Sequence, residues 1–303
     1  MTKTWVAVSA NTIRDYSFML PLSSLFWRDV IGHTPLLLMV GDWEGDARSR
    51  VSLAAIQELG FEVHPVKEIP GYLSANVAQN VREHAAVDLR IADEDWIIPS
   101  DADLWPFKPE FYRQHLSVPE STKAIVLYCN GDGFVSKEDF LSKADVLIRA
   151  QTIPTCHVIM RAATWRSLYQ IKVGDDLQAV TKRTMDSWIP QRIVGKSPSD
   201  AAFVSWMSDQ DIVTWQLCRQ DWFPQDAIMV PRFGYPPEDR LCRSNVPSWP
   251  VKDIGKYVDC HGWKAPDSPE HWNLLRPLIA HFLPKWVEWA DAYRDRYYRS
   301  YNP

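Results

Sequence analysis

Short apolar runs alternate with longer amphipathic stretches through the first hundred residues. WVAVSA (5–10) predicts a strand, DYSFMLPLSSLFWRDVI (15–31) a helix strained by Pro21, and PLLLMV (35–40) a second strand. ARSRVSLAAIQELG (47–60) has helical spacing and stops at Gly60, FEVHPV (61–66) is strand-like, SANVAQNVREHAAVDL (74–89) is helical, and DWII (95–98) is a fourth strand. This β-α-β-α-β-α-β series predicts a mainly parallel, Rossmann-type α/β sheet flanked by helices, with ligands beyond the carboxyl ends of its strands.

The second half is less regular. AIVLYC (124–129) and CHVIM (156–160) are strand candidates, PSDAAFVSWM and DIVTWQLCRQ are helical, and the proline-rich stretch 231–269 reads as loop. PLIAHFLPKWVEWADAYRDRYY is helical, with Trp286, Trp289, Tyr293 and Tyr297 spaced by three, four and four. The order suggests one α/β domain over 1–265, its first half over 1–107 and its second half, over 108–265, building an acceptor side, followed by a helical extension over 266–303.

Composition narrows the partners. With 303 residues and 46% hydrophobic content the chain can bury a large core without staples. A net charge of −5 gives no basic surface, which argues against nucleic acid and leaves any anionic ligand to local groups. Five cysteines without a CxxC pair read as reduced thiols. The start of the chain has no apolar core of a signal peptide, and no run approaches a membrane span, so the expected location is the cytoplasm. GxGxxG after the first strand, GxxxxGK[ST], HExxH and GxSxG are all missing, which removes dinucleotide oxidoreductase, P-loop, zincin and serine-hydrolase readings.

Candidate chemistry starts at IIPSDADLWPF (97–107). Residues i and i+2 of an extended chain point the same way, so Asp101 and Asp103 bring two carboxylates to one point and require a cation. Mg or Mn with oxygen ligands supplies it and can bridge the pair to phosphates. An Asx-type turn before Pro106 is the other reading. The spacing recurs at Asp93/Asp95 and Asp209/Asp211. Asp93 and Asp95 precede their strand, at the end where ligands seldom bind, and read as a solvated turn.

Taken in order, the strand ending in SDAD, CHVIMRAATWRSL, SDQDIVTWQL and DCHGWKAP resemble the GT-A family of nucleotide-sugar glycosyltransferases, most closely its galactosyl/glucosyl type, family 8. The likeness runs over roughly residues 5 to 266. It implies a GT-A-like fold and a transfer from a nucleotide-diphosphate sugar, UDP-sugar first, to a carbohydrate or other hydroxyl acceptor. By the same resemblance Asp101, Asp103 and His261 hold Mn or Mg, and an imidazole ligand tilts the choice toward Mn. His261 also reads as a plain loop histidine. Lys264 would meet the phosphates, Arg82 the donor, and Ala10, Asn11, Thr12 and Tyr16 the base and ribose, with Ser100 and Ala102 beside the acidic pair. His157 stands where the family has glycine and reads as a hydrogen-bonded strand histidine.

In the DQD stretch, Asp209, Gln210 and Asp211 are the catalytic candidates. Ser208 with Asp211 three residues on also fits a helix-start capping signature, where a carboxylate stays ionised. A retaining reaction would let the leaving phosphate assist the acceptor, with Gln210 contacting the sugar; an inverting one would use Asp209 or Asp211 as base. Of the 15 tryptophans, Trp105 and Trp263 are expected to line the site. The aromatic tail suits packing on the parent domain better than a membrane surface, since 285–299 carries four basic against three acidic residues and offers only weak peripheral contact. A carboxylate-metal phosphoesterase and a non-catalytic sugar- or nucleotide-binding module are the competing functions.

Overall fold

Residues 2–130, 153–232, 237–242, 253–261 and 269–300 are described by a computed structural model. The first strand, β1 (Thr4–Asn11), is buried at every position. This is what a continuous apolar run does in a sheet covered on both faces. Helix α1 (Arg14–Leu25) takes Pro21 within it, and its last turns run on as a π-helical segment over Phe26–Ile31. That segment stops at Gly32, whose φ of +82° suits a residue without a Cβ. Strand β2 (Thr34–Val40) follows, then α2 (Ala47–Glu58), capped by Asp46, whose side chain accepts from the Ser49 amide at 3.1 Å. Strand β3 (Glu62–Val66), helix α3 (Ser74–Val81) with a 3-10 continuation over Arg82–Val87, and strand β4 (Trp96–Asp101) complete the alternating half.

After β4 the chain forms β5 (Leu104–Pro106), β6 (Ala124–Asn130), β7 (Val158–Arg161) and the helices Ala162–Tyr169, Leu177–Ile193, Pro198–Trp206 and Ser208–Cys218. Strands β8 (Ala227–Arg232), β9 (Arg240–Cys242) and β10 (Asp259–His261) come next. The main sheet has seven strands in the order β3-β2-β1-β4-β7-β6-β8. Only β7 runs against its neighbours, so the protein is an α/β fold with a mainly parallel sheet flanked by helices.

Three expectations need correction. The proline-rich stretch 231–269 is not all loop: β9 and β10 lie in it and join β5 in a second, three-stranded sheet. Three-residue strands are too short to leave a period-two signature, so the pattern does not announce them. CHVIM begins as a 3-10 turn over Thr155–His157 before β7 starts. The tail is two helices, Pro269–Phe282 and Val287–Arg299, separated at Leu283 and Pro284, where proline cannot continue the first.

The tail packs on the body, as its aromatic stripe suggests. Tyr293 stacks on Phe18 of α1 at 5.1 Å between ring centres, and Tyr297 meets the same ring edge-on at 5.0 Å. Among the described residues no helix is long and apolar enough to cross a membrane.

Candidate metal and donor site

Register explains why three polar side chains meet. β1 and β4 are parallel with Ser9 opposite Asp101, so their carboxyl ends lie side by side. Asp101 is the last residue of β4, Ala102 and Asp103 carry the chain across, and β5 sets out from Leu104. β10 runs antiparallel to β5 with His261 opposite Leu104, which brings its imidazole back to the acidic pair. His261 Nε2 lies 3.2 Å from Asp101 Oδ2 and 3.7 Å from Asp103 Oδ1. One ligand atom from each of the three can be chosen so that all lie within 4.8 Å of one another.

Two carboxylates, an imidazole and a guanidinium share charge in this cluster. Burial works to raise the Asp101 carboxyl, but the Arg82 guanidinium and the His261 hydrogen bond outweigh it and hold it well below the ordinary range. Burial works to lower the His261 imidazole, yet the charge of Asp103 and the hydrogen bond to Asp101 raise it above its ordinary value. The two carboxylates thus favour the protonated ring over the neutral one. Two oxygen ligands and one nitrogen suit Mn or Mg, and such an ion would stand in the place of that proton.

Arg82 stands behind the cluster. Only 4% exposed, it donates from one guanidinium nitrogen to Asp101 Oδ1 and from another to Asp209 Oδ2, the latter at 2.6 Å. One cation thus ties the D-x-D turn to the DQD helix. Asp209 is fully buried, with Oδ1 lacking a hydrogen-bond partner among the described residues. Burial pushes its carboxyl above the ordinary range even though Arg82 pulls the other way. At this helix start burial works against the ionised form of Asp209 while the paired Arg82 guanidinium works for it. The capping signature is not realised: the cap position is Met207, and the Ser208 hydroxyl accepts instead from Asn80 Nδ2 at 2.8 Å. Asp211 is buried in the same first turn, and Gln210 is half-buried.

The remaining candidates divide. Asn11, buried at the tip of β1, reaches Ser74 Oγ at 3.0 Å from its Nδ2 and accepts from the Ile13 amide at 3.3 Å. Ala10 is buried beside it, while Thr12 and Tyr16 are half-buried. Ala102 is buried between the two acids. The Ser100 side chain points into the core instead of the cluster, where its hydroxyl accepts from the Trp27 indole at 2.9 Å. Trp105 does not line the site: it is fully buried and stacks on Phe26 at 4.8 Å, past the turn at Ala102 and Asp103 that interrupts the strand. Trp263 and Lys264 lie outside the described residues. Asp95 is no solvated turn residue, since it is buried and accepts from the Lys3 amide and the Trp5 indole at 2.8 and 3.0 Å. His157 is a satisfied core histidine, with Nε2 2.7 Å from an Arg240 guanidinium nitrogen and Nδ1 3.0 Å from Cys156 Sγ.

Sequence reading misses one supporting group, Asp259. Two residues before His261 on β10, it is fully buried and accepts from Tyr112 Oη at 2.6 Å, Arg232 at 2.8 Å and Arg240 at 2.7 Å. Those partners lie 147, 27 and 19 residues away in sequence, so no local pattern links them.

No protein-family model matches the chain, and no curated protein is significantly similar to it. Solved structures do align with it. The galactosyltransferase LgtC, crystallised with donor and acceptor sugar analogues, has 13% identity and a TM-score of 0.47 over 93% of this chain and 98% of its own. The glycosyltransferase GlyE of Streptococcus pneumoniae TIGR4 has 13% identity and a TM-score of 0.46 over 95% of this chain and 64% of its own. Glucosyl-3-phosphoglycerate synthase of Mycobacterium tuberculosis, in complex with Mn2+, UDP and phosphoglyceric acid, has 13% identity and a TM-score of 0.37 over 72% of this chain and 79% of its own. At these scores and identities the likenesses concern the path of the chain and carry nothing about the chemistry of Asp101, Asp103 or His261.

Proposed function

We propose that this protein transfers a sugar from a nucleotide-diphosphate donor, a UDP-sugar first among them, to a hydroxyl of a glycan acceptor in a metal-dependent reaction. The observation that carries the reading is the meeting of Asp101, Asp103 and His261, drawn from two separate sheets, beyond the carboxyl ends of β1 and β4. Mn or Mg held there would neutralise the charge that builds on the leaving diphosphate. Asn11, Thr12 and Tyr16, at the adjacent end of β1, are disposed to take the base and ribose, and Lys264 is assigned to the phosphates. Arg82 holds Asp101 and Asp209 in fixed relation, so the metal turn and the DQD helix keep one geometry about the sugar. Gln210 and Asp211 are assigned to the reacting carbon and the acceptor. Asp209, bound by Arg82, steadies that arrangement instead of moving a proton. In a retaining reaction the leaving phosphate assists the acceptor hydroxyl; in an inverting one Asp211 serves as base.

The test is thermal unfolding with UDP, GDP and other nucleoside diphosphates, with Mn and with Mn plus chelator. One nucleotide is expected to stabilise the fold only when metal is present, by about 2.7 kcal/mol at one hundred times its Kd. Asp103→Ala, which removes a ligand at a position 7% exposed, is expected to abolish that gain and sugar transfer alike. Equal stabilisation with and without chelator, or full transfer by Asp103→Ala, overturns the metal assignment. Binding without transfer to any acceptor makes the chain a nucleotide-sugar-binding module.

A further inference from the structure

The C-terminal helix Val287–Arg299 meets the body at a telling place. Tyr297, 2% exposed, donates its hydroxyl to the carbonyl of Arg14 at 2.7 Å and shares a hydrogen bond with Ser17 Oγ at 2.8 Å. Arg14 opens α1, and the Ser17 amide in turn donates to the Ile13 carbonyl at 2.9 Å. The two anchor points therefore bracket Tyr16 and close the Thr12–Ile13 connection that follows the tip of β1. A first helical turn normally frays, because its first amides have no partner within the helix. Here a hydroxyl from 283 residues further along holds it.

Tyr293, one turn earlier on the same helix, is a natural control. It too is fully buried and bonds through its hydroxyl, but to the Phe18 carbonyl at 3.0 Å and Ser52 Oγ at 2.9 Å, further into α1 and on α2. Both rings pack on Phe18, so the two tyrosines share a packing role and differ in what their hydroxyls hold.

We infer that Tyr297 is a positioning residue for the donor: through Arg14 and Ser17 it fixes the turn whose Asn11, Thr12 and Tyr16 receive the base and ribose, making the tail part of the nucleotide pocket. This rests on the donor site proposed above. Ring and packing are kept in Tyr297→Phe and Tyr293→Phe, so each removes one buried hydroxyl.

The experiment measures UDP affinity in Mn by calorimetry, donor KM and kcat, and amide hydrogen exchange over 12–17, in the full-length chain and both variants. Tyr297→Phe is expected to speed exchange at 12–17 and to weaken UDP binding and raise donor KM about three- to ten-fold with kcat unchanged, as loss of one positioning hydrogen bond implies. Tyr293→Phe is expected to lower thermal stability comparably while leaving affinity and KM within about two-fold. Faster exchange in Tyr297→Phe with unchanged UDP affinity overturns the inference, as does equal weakening in both variants. If the unsubstituted chain binds no nucleoside diphosphate in Mn, the donor site itself fails, a result read before either variant is made.

Discussion

Asp259→Asn is expected to cost about 3–5 kcal/mol of folding stability, because it leaves buried charges without their counter-ion. The substitution keeps side-chain volume, so cavity formation adds little and the loss reports charge. Asp259 is the shared acceptor of Arg232 and Arg240, and both residues are only 4% exposed. Arg232 has a second acceptor in Asp239 at 2.8 Å, on a side chain 40% exposed. Arg240 turns instead to His157, which lies 3.7 Å from Asp259 and cannot neutralise a cation. The carboxyl is accordingly held well below the ordinary carboxylate range: burial alone would raise it, and the two arginines more than reverse that. Urea unfolding followed by tryptophan fluorescence measures the effect; a loss below about 1 kcal/mol would mean that water or relaxation replaces the missing charge. Since β10 carries both Asp259 and His261, the same variant should weaken metal-dependent nucleotide binding.

The second large effect is acid lability. Burial, above all, depresses four imidazoles: His33 to about 4, and His84, His115 and His157 to about 3. Their neutral forms are built into the fold. His33 lies 3.2 Å from the Tyr112 carbonyl, His84 3.0 Å from Thr184 Oγ1, and His115 2.7 Å from Thr4 Oγ1. The folded chain leaves these rings unprotonated well below the ordinary histidine pKa of 6.5, while the unfolded chain protonates them as pH falls through that value. Stability is thus complete above pH 6.5 and declines as pH falls toward 4. Each such group adds about 1.4 kcal/mol per pH unit to the slope once the unfolded chain is charged, so four approach about 5 kcal/mol per unit. A total stability of about 5–15 kcal/mol is then consumed above pH 4. Asp101 and Asp259, held low in the fold, act in the same direction, while the raised His261 opposes them. Urea midpoints at pH 7.5, 6 and 5 test this; a flat profile would show that protonated imidazoles are tolerated in place.

Much of this was legible in the chain. The strand and helix alternation up to Asp101 follows from periodicity alone, since each element is long enough to carry its period and glycine or proline marks most ends. Asp101 and Asp103 could be picked out because a strand end fixes what lies beyond it. His261 could not be reached from spacing, because only the pairing of β10 with β5 brings it across 160 residues. Trp105 and Asp95 show the opposite failing. Both sit beside expected site or turn residues, yet the turn at Ala102 and Asp103 breaks the strand period and the indole packs into the core, and two donors from β1 and its approach draw the carboxylate inward. The role of Arg82 was half visible: the family resemblance set it near the donor, but the groups it meets are the protein's own carboxyls.

The register of β10 against β5 also bears on how the molecule matures. During synthesis the acidic turn emerges long before the strand that brings its imidazole, so a nascent chain released before residue 259 has Asp101 and Asp103 without His261, with Arg82 donating to Asp101. Closing that distance costs chain entropy that local contacts cannot supply. The pairing of β10 with β5 therefore waits for residue 261 to emerge, and the grouping of Asp101, Asp103 and His261 waits with it.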